Sequence, residues 1–124
     1  MDLIFDTHAI FWLATDHPKL SRVVVEQLLD ADTRSFVSAV TIWEYGDLLA
    51  RGRLTDSAPF SALQETYAFE PLDFPAAACA HAATLPKIHR DPIDRMLIAH
   101  ALAADLTIVT ADRRIAEYQV PTLW

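Results

Sequence analysis

The feature that most constrains this chain is a rhythm. Short apolar runs, too brief for a helix, alternate with longer stretches of helical periodicity. Leu3–Phe5 is the first run and stops abruptly at Asp6-Thr7. A short helix is expected from Thr7 to Ala14, and a second in SRVVVEQLLDAD, opened by Pro18 and Ser21, with Val24, Val25, Leu28 and Leu29 on its apolar side. Ser35–Val37 reads as the next strand, followed from Ser38 or Thr41 by a helix that stops near Gly52. Ser57 is expected to cap a helix through Tyr67, and Phe69–Leu72 to form a third strand. Pro75 opens a helix of small residues, and Leu85–Arg90 is a loop. Asp91-Pro92 combines an N-cap acid with proline at the first helical position, starting a helix to about Ala104. Leu106–Val109 is a fourth strand, Thr110-Ala111-Asp112 begins a last short helix, and Val120 with Leu123 suggests a closing edge strand. Strands that alternate with helices predict an α/β domain with a mostly parallel sheet. With 124 residues and no linker or repeat, one domain spanning 1–124 is expected.

Composition removes several function classes. A net charge of −7 argues against binding nucleic acid by blanket charge. Gly46 and Gly52 are the only glycines, so neither a GxGxxG fingerprint nor a GxxxxGK phosphate loop can be built. A single cysteine, Cys79, excludes an internal disulfide and a Cys-cluster zinc site, and reads as a small hydrophobe on its helix. The opening MDLIFDTH has neither a basic flank nor a long apolar run, and no stretch reaches the roughly 20 apolar residues of a membrane span. A cytoplasmic protein is expected, with no membrane partner.

In open parallel sheets, ligands bind beyond the carboxyl ends of the strands. Asp6 follows the first strand directly, and Asp112 lies three residues after Val109. Glu44 rides on the helix after the second strand, and Asp94 sits in the first turn of the Asp91 helix. Each has an ordinary alternative: Asp6 and Asp112 as caps or turn formers, Asp91 and Asp94 as a capping arrangement at the positive end of a helix, Glu44 as a solvated helix residue. If the four converge, two unit charges about 5 Å apart repel by roughly 3 kcal/mol at an effective dielectric of 20. Several such pairs cannot all stay ionised without a cation. Hard oxygen ligands select Mg²⁺ or Mn²⁺. Such a site suits metal-assisted hydrolysis of a phosphodiester.

The runs DTHAIFWLA (Asp6–Ala14), SAVTIWE (Ser38–Glu44), GRL (Gly52–Leu54), LPKIHRDPIDRMLIAHA (Leu85–Ala101) and TIVTAD (Thr107–Asp112) carry a family resemblance over nearly the whole chain. They resemble a PIN domain, and more narrowly the VapC-type ribonuclease toxins of type II toxin–antitoxin pairs. The resemblance implies a three-layer α/β/α fold with a central parallel sheet and Mg²⁺- or Mn²⁺-dependent endoribonuclease activity. It also implies a VapB-like antitoxin partner and a homodimer. The family's acidic quartet falls on Asp6, Glu44, Asp94 and Asp112. Its small hydroxyl near the metal matches Thr7 or Thr110. One departure is visible: similar toxins often carry a lysine four residues after the helix acid, where this chain has Leu48.

On this reading Asp6, Asp94 and Asp112 hold the main ion, and Glu44 completes the site or orients the attacking water. Asp91 acts as a cap first and a supporting acid second. Basic residues cluster just after the acids and in the loop, at Arg51, Arg53, Lys87, Arg90, Arg95, Arg113 and Arg114; Arg90 and Arg95 are expected to flank the cleft and meet RNA. His8 and His89 lie close enough to touch substrate, although packing or surface roles fit them better. Trp12, Trp43 and Phe11 could stack bases but fit a core or interface more simply. Phe11, Trp12 and the apolar half of the Val24–Leu29 helix are the expected dimer or antitoxin surface. The competing reading is a non-hydrolytic metal-binding signalling or scaffold domain, PIN-like or receiver-like. A receiver would need a paired early acid, an acceptor Asp after the second strand and a late lysine, none of which is present; a DxD phosphatase fails because Asp6-Thr7-His8 lacks the second acid.

Overall fold

The computed structural model describes residues 1–54 and 56–124. Five strands, β1 (Asp2–Phe5), β2 (Arg34–Ser38), β3 (Glu70–Leu72), β4 (Thr107–Val109) and β5 (Thr122–Leu123), form one sheet in the order β3-β2-β1-β4-β5. Every pairing is parallel, so the expected mostly parallel sheet is wholly parallel. Leu3 pairs with Ser35 on one side and Thr107 on the other, which puts β1 at the centre. Pro71, which cannot donate to a ladder, sits on the edge strand β3 where that loss is tolerated.

Among the described residues seven helices cover the two faces: α1 (Thr7–Thr15), α2 (Arg22–Leu29), α3 (Ala39–Ala50), α4 (Phe60–Tyr67), α5 (Ala76–Thr84), α6 (Pro92–Ala104) and α7 (Arg113–Ala116). The period of two along the strands divides the core. Leu3, Phe5, Val37 and Val109 pack with Ile10, Val24, Tyr45 and Leu63 from α1 to α4. Ile4, Phe36 and Ile108 pack on the other face with Ala78, Ala82, Leu97, Ile98 and Ile115 from α5 to α7. This is the α/β/α sandwich. Ile4, Ile98 and Ile108 are fully excluded from solvent, and truncating any one to alanine is expected to cost about 2–5 kcal/mol.

Several expectations need correction. Ser57 does not cap α4; Pro59 holds that position, and the Ser57 hydroxyl bonds the Tyr45 phenol. Phe69 lies just outside β3, buried among Phe5, Phe60 and Tyr67. Val120 is buried but precedes β5. On α2 only Val24 is fully buried, and Leu29 is 79% exposed, because five positions along a helix turn it about 140° away from Val24. Cys79 is exposed on α5 rather than packed. No helix among the described residues is long and apolar enough to cross a membrane.

Candidate active site

After β1, the chain places its second and third strands on one side and its last two on the other. The reversal lies between β1 and β4, where a crevice opens in such sheets. Asp6 and Asp112 follow these two strands. The Asp6 amide donates to the Val109 carbonyl at 3.1 Å, fastening the end of β1 to the end of β4. Asp6 N-caps α1, its Oδ1 accepting from the Ala9 amide at 2.8 Å, and Asp112 N-caps α7, its Oδ1 accepting from the Arg114 amide at 2.9 Å. The capping and site roles are therefore compatible: at Asp112 one oxygen caps while Oδ2 faces the cleft. Asp91 caps α6 through Oδ1, at 2.9 Å from the Ile93 amide, and orients the first turn that carries Asp94.

A cleft of about 540 Å³ is lined by Asp6, Asp94 and Asp112 together with His8, Trp12, His89, Arg90, Asp91 and Arg114. Glu44 lines an adjoining hollow that shares His8, Asp91 and Asp94 with the first. The Thr7 hydroxyl donates to Glu44 Oε1 at 2.6 Å, so the residue after Asp6 fixes the helix acid. Thr110 is buried at the end of β4, where its hydroxyl accepts from the Asp112 amide at 3.0 Å. The structure thus brings the expected acids and both threonines to one edge of the sheet.

Arg95 is not brought there. Its guanidinium turns away and donates to the carbonyls of Ala82 and Leu85, both at 2.9 Å, and of Pro86 at 3.0 Å. It ties the end of α5 and the following loop to α6. Arg90 does line the cleft, and Arg114 joins it there. Trp43, considered as core or interface, is 63% exposed on α3.

The residue that sequence reasoning undervalued is His89. It is buried, with Nε2 lying 2.8 Å from Asp112 Oδ2 and 3.0 Å from Asp94 Oδ2. The Asp91 amide donates to Nδ1 at 3.1 Å. In the neutral ring that bond leaves the proton on Nε2, where it bridges the two carboxylates. His89 Nε2, Asp94 and Asp112 are close enough together to suggest a ligand set. A protonated Nε2 has no lone pair to offer, so in this tautomer His89 is a donor to the two carboxylates, and the oxygen atoms are the groups that could hold a metal.

The electrostatics match that geometry. Burial, then the charges of Asp91, Asp6, Glu44 and Asp112, push Asp94 up to about 8. Burial also raises Asp6, against the pull of the Thr110 hydroxyl and the Ala9 amide. Asp112 moves the other way: burial opposes its charge, but the bonds from His89 and the Arg114 amide outweigh it and hold its carboxyl below the usual range. Burial and four neighbouring carboxylates thus work against a charge on Asp94, which is where a cation would be welcome. Hard oxygen donors without a cysteine fit Mg²⁺ or Mn²⁺ better than a soft metal.

A parallel sheet with helices on both faces and carboxylates gathered at its reversal point defines an α/β sandwich with an acidic crevice. The PIN-domain family model matches residues 3–121, and the chain belongs to that family. It is 25% identical over 128 residues to Ribonuclease VapC22 of Mycobacterium tuberculosis, covering 98% of each chain. Its fold superposes on VapBC2 from Rickettsia felis, solved bound to a DNA fragment from its promoter, with a TM-score of 0.72 at 18% identity, covering 99% of this chain and 98% of that one. DNA-bound VapBC from Salmonella typhimurium gives 0.68 at 21% identity, covering 99% and 97%. Family membership sets aside the receiver-like alternative.

Proposed function

We propose that this chain is a VapC-type endoribonuclease that hydrolyses RNA phosphodiester bonds with the help of Mg²⁺ or Mn²⁺. The observation that carries the reading is the convergence of Asp6, Asp94 and Asp112 on one cleft, where burial and like charge push Asp94 up to about 8 and so favour a cation. Asp6, Asp94 and Asp112 would hold the ion through oxygen. A bound divalent ion supplies Lewis-acid charge that acidifies water and offsets charge building on the phosphate. Glu44, with Oε1 fixed by Thr7, has its other oxygen to orient a water and accept its proton. His89 keeps Asp94 and Asp112 in place, and Arg90 and Arg114 meet the RNA backbone.

The ribonuclease VapC22 likeness and the VapBC folds support a VapB-like antitoxin as partner, a homodimer and a cytoplasmic setting. Exposed Trp43 and Leu29, with partly buried Phe11 and Trp12, are apolar surface that such partners would cover.

The direct test is cleavage of total RNA with and without Mg²⁺ or Mn²⁺, the cut ends mapped, alongside Asp6→Asn. Metal-dependent cutting that Asp6→Asn abolishes is expected. Equal cutting by the variant removes Asp6 from the mechanism, and no cutting by the unaltered chain with either ion leaves a silent scaffold.

A further inference from the structure

The cleft does not end at Asp94. A second hollow, of about 330 Å³, continues on the Glu44 side and shares His8, Asp91 and Asp94 with the first. Glu44, Asp91 and Asp94 give it negative charge, and Leu48 and Leu54 give it apolar surface. Arg53 is the one guanidinium among its lining residues.

Local backbone chemistry puts Arg53 there. Helix α3 ends in a Schellman turn: Gly52 takes φ +68°, its amide donates to the Leu49 carbonyl at 3.0 Å, and the Arg53 amide donates to the Leu48 carbonyl at 2.8 Å. Glycine makes that left-handed step without the cost a Cβ would bring. The turn folds residue 53 back over the last turn of α3, beside Leu48 and one helical turn from Glu44.

The charge on Arg53 is also uncommitted. Arg51 pairs with Asp47 at 3.0 Å, Arg34 with Asp2 at 2.7 Å, Arg114 with Asp112 at 3.6 Å, and Arg95 is consumed by carbonyls. Among the described residues no carboxylate lies within ion-pair distance of Arg53 or Arg90; both are exposed, Arg90 lining the first hollow and Arg53 the second. A polyanion lying across an acidic cleft is repelled on both sides of the metal site unless a cation meets it at each end. Arginine is suited to that because its fork engages phosphate oxygens in pairs.

We propose that Arg53 binds the RNA phosphate flanking the scissile bond on the Glu44 side, opposite the phosphate met by Arg90, so that the substrate spans both hollows. This rests on the ribonuclease reading. Arg53 is a substrate-binding residue here and takes no part in activating water.

The test measures binding of a short single-stranded RNA to the chain carrying Asp6→Asn, which keeps the RNA intact, with and without Arg53→Gln. Arg53→Gln is expected to weaken binding about fivefold and to reduce the salt slope by about one ion. In the cleaving chain it raises KM and leaves kcat within about twofold, and Arg53→Lys restores most of the loss. Neutral methylphosphonates, introduced one position at a time, remove the phosphate charge instead of the arginine. One position should weaken binding to the Arg53 chain and not to Arg53→Gln. If the chain cuts RNA and no position behaves so, or if Arg53→Gln leaves affinity and salt slope unchanged, Arg53 has no such role. A chain that neither binds nor cuts RNA overturns the ribonuclease reading and this subsite together.

Discussion

His89 Nε2 lies 2.8 Å from Asp112 Oδ2 and carries the proton that holds this carboxylate beside Asp94. The imidazole is fixed at its other nitrogen by the Asp91 amide, and its own amide donates to the Tyr118 phenol at 2.9 Å. Replacing it should therefore disturb the site more than the fold. His89→Gln is expected to raise the Mn²⁺ concentration for half-maximal cleavage about 10- to 100-fold, the usual cost of losing a group that orients metal ligands. A metal titration of RNA cleavage checks this. An unchanged midpoint would mean that the carboxylates hold their places unaided.

Asp94 gives a pH dependence with a defined sign. Its folded-state value of about 8 stands above the unfolded 3.8, so the folded chain binds the extra proton. The stability this contributes is full below about 3.8 and is lost as pH rises toward about 8. Metal-free protein should therefore lose thermal stability across that window. Asp94→Asn should flatten the slope and raise stability at pH 7 by about 1–3 kcal/mol, while cleavage is lost. Thermal melts in chelator across the range are the measurement. A variant less stable than the parent at pH 7 would contradict the assignment.

His100 tilts stability in the opposite direction. It is buried, Nδ1 lies 2.9 Å from the Ser38 hydroxyl, and the Phe74 ring meets it edge-on. Burial lowers its value below the usual 6.5, so the unfolded chain takes up the proton first as the solution is acidified. The contribution is present above about 6.5 and is lost as pH falls through the folded value. His100→Gln should remove this acid-side slope while costing about 1–3 kcal/mol at neutral pH through a poorer fit to Ser38. Urea unfolding at several pH values separates it from Asp94, since the two slopes have different signs.

Arg95 is expected to matter for stability and not for RNA contact. Its guanidinium satisfies the carbonyls at the end of α5 and in the loop that delivers His89. Arg95→Ala leaves several of them without a partner and should cost about 2–4 kcal/mol. Arg95→Lys, which cannot reach them all at once, should recover only part. The salt slope of RNA binding should not change.

The legible part of this fold was its order of elements. Short apolar runs and the Asp91-Pro92 start locate strands and helices from local chemistry alone, and the ends of β1 and β4 show where Asp6 and Asp112 collect. What local chemistry could not reveal was long-range pairing. Arg95 follows a candidate acid directly, as a cleft residue would, yet four neighbouring carbonyls that only the folded loop gathers claim its guanidinium. His89 had no spacing signal, because its partners stand 5 and 23 positions away and meet it only after α6 docks beside β4. Ser57 looked like a cap, but Tyr45 from another helix took its hydroxyl.

The reversal between β1 and β4 has a mechanical consequence. Asp6 and Glu44 belong to the part of the chain that builds β1 to β3, Asp94 and Asp112 to the part that adds β4 and β5. Like charge is thus concentrated along the seam where two halves of the polypeptide meet. On the proposed function, a divalent ion settling there would act as a rivet between the early half and the late one, added to the strand pairing and the shared apolar core that already join them.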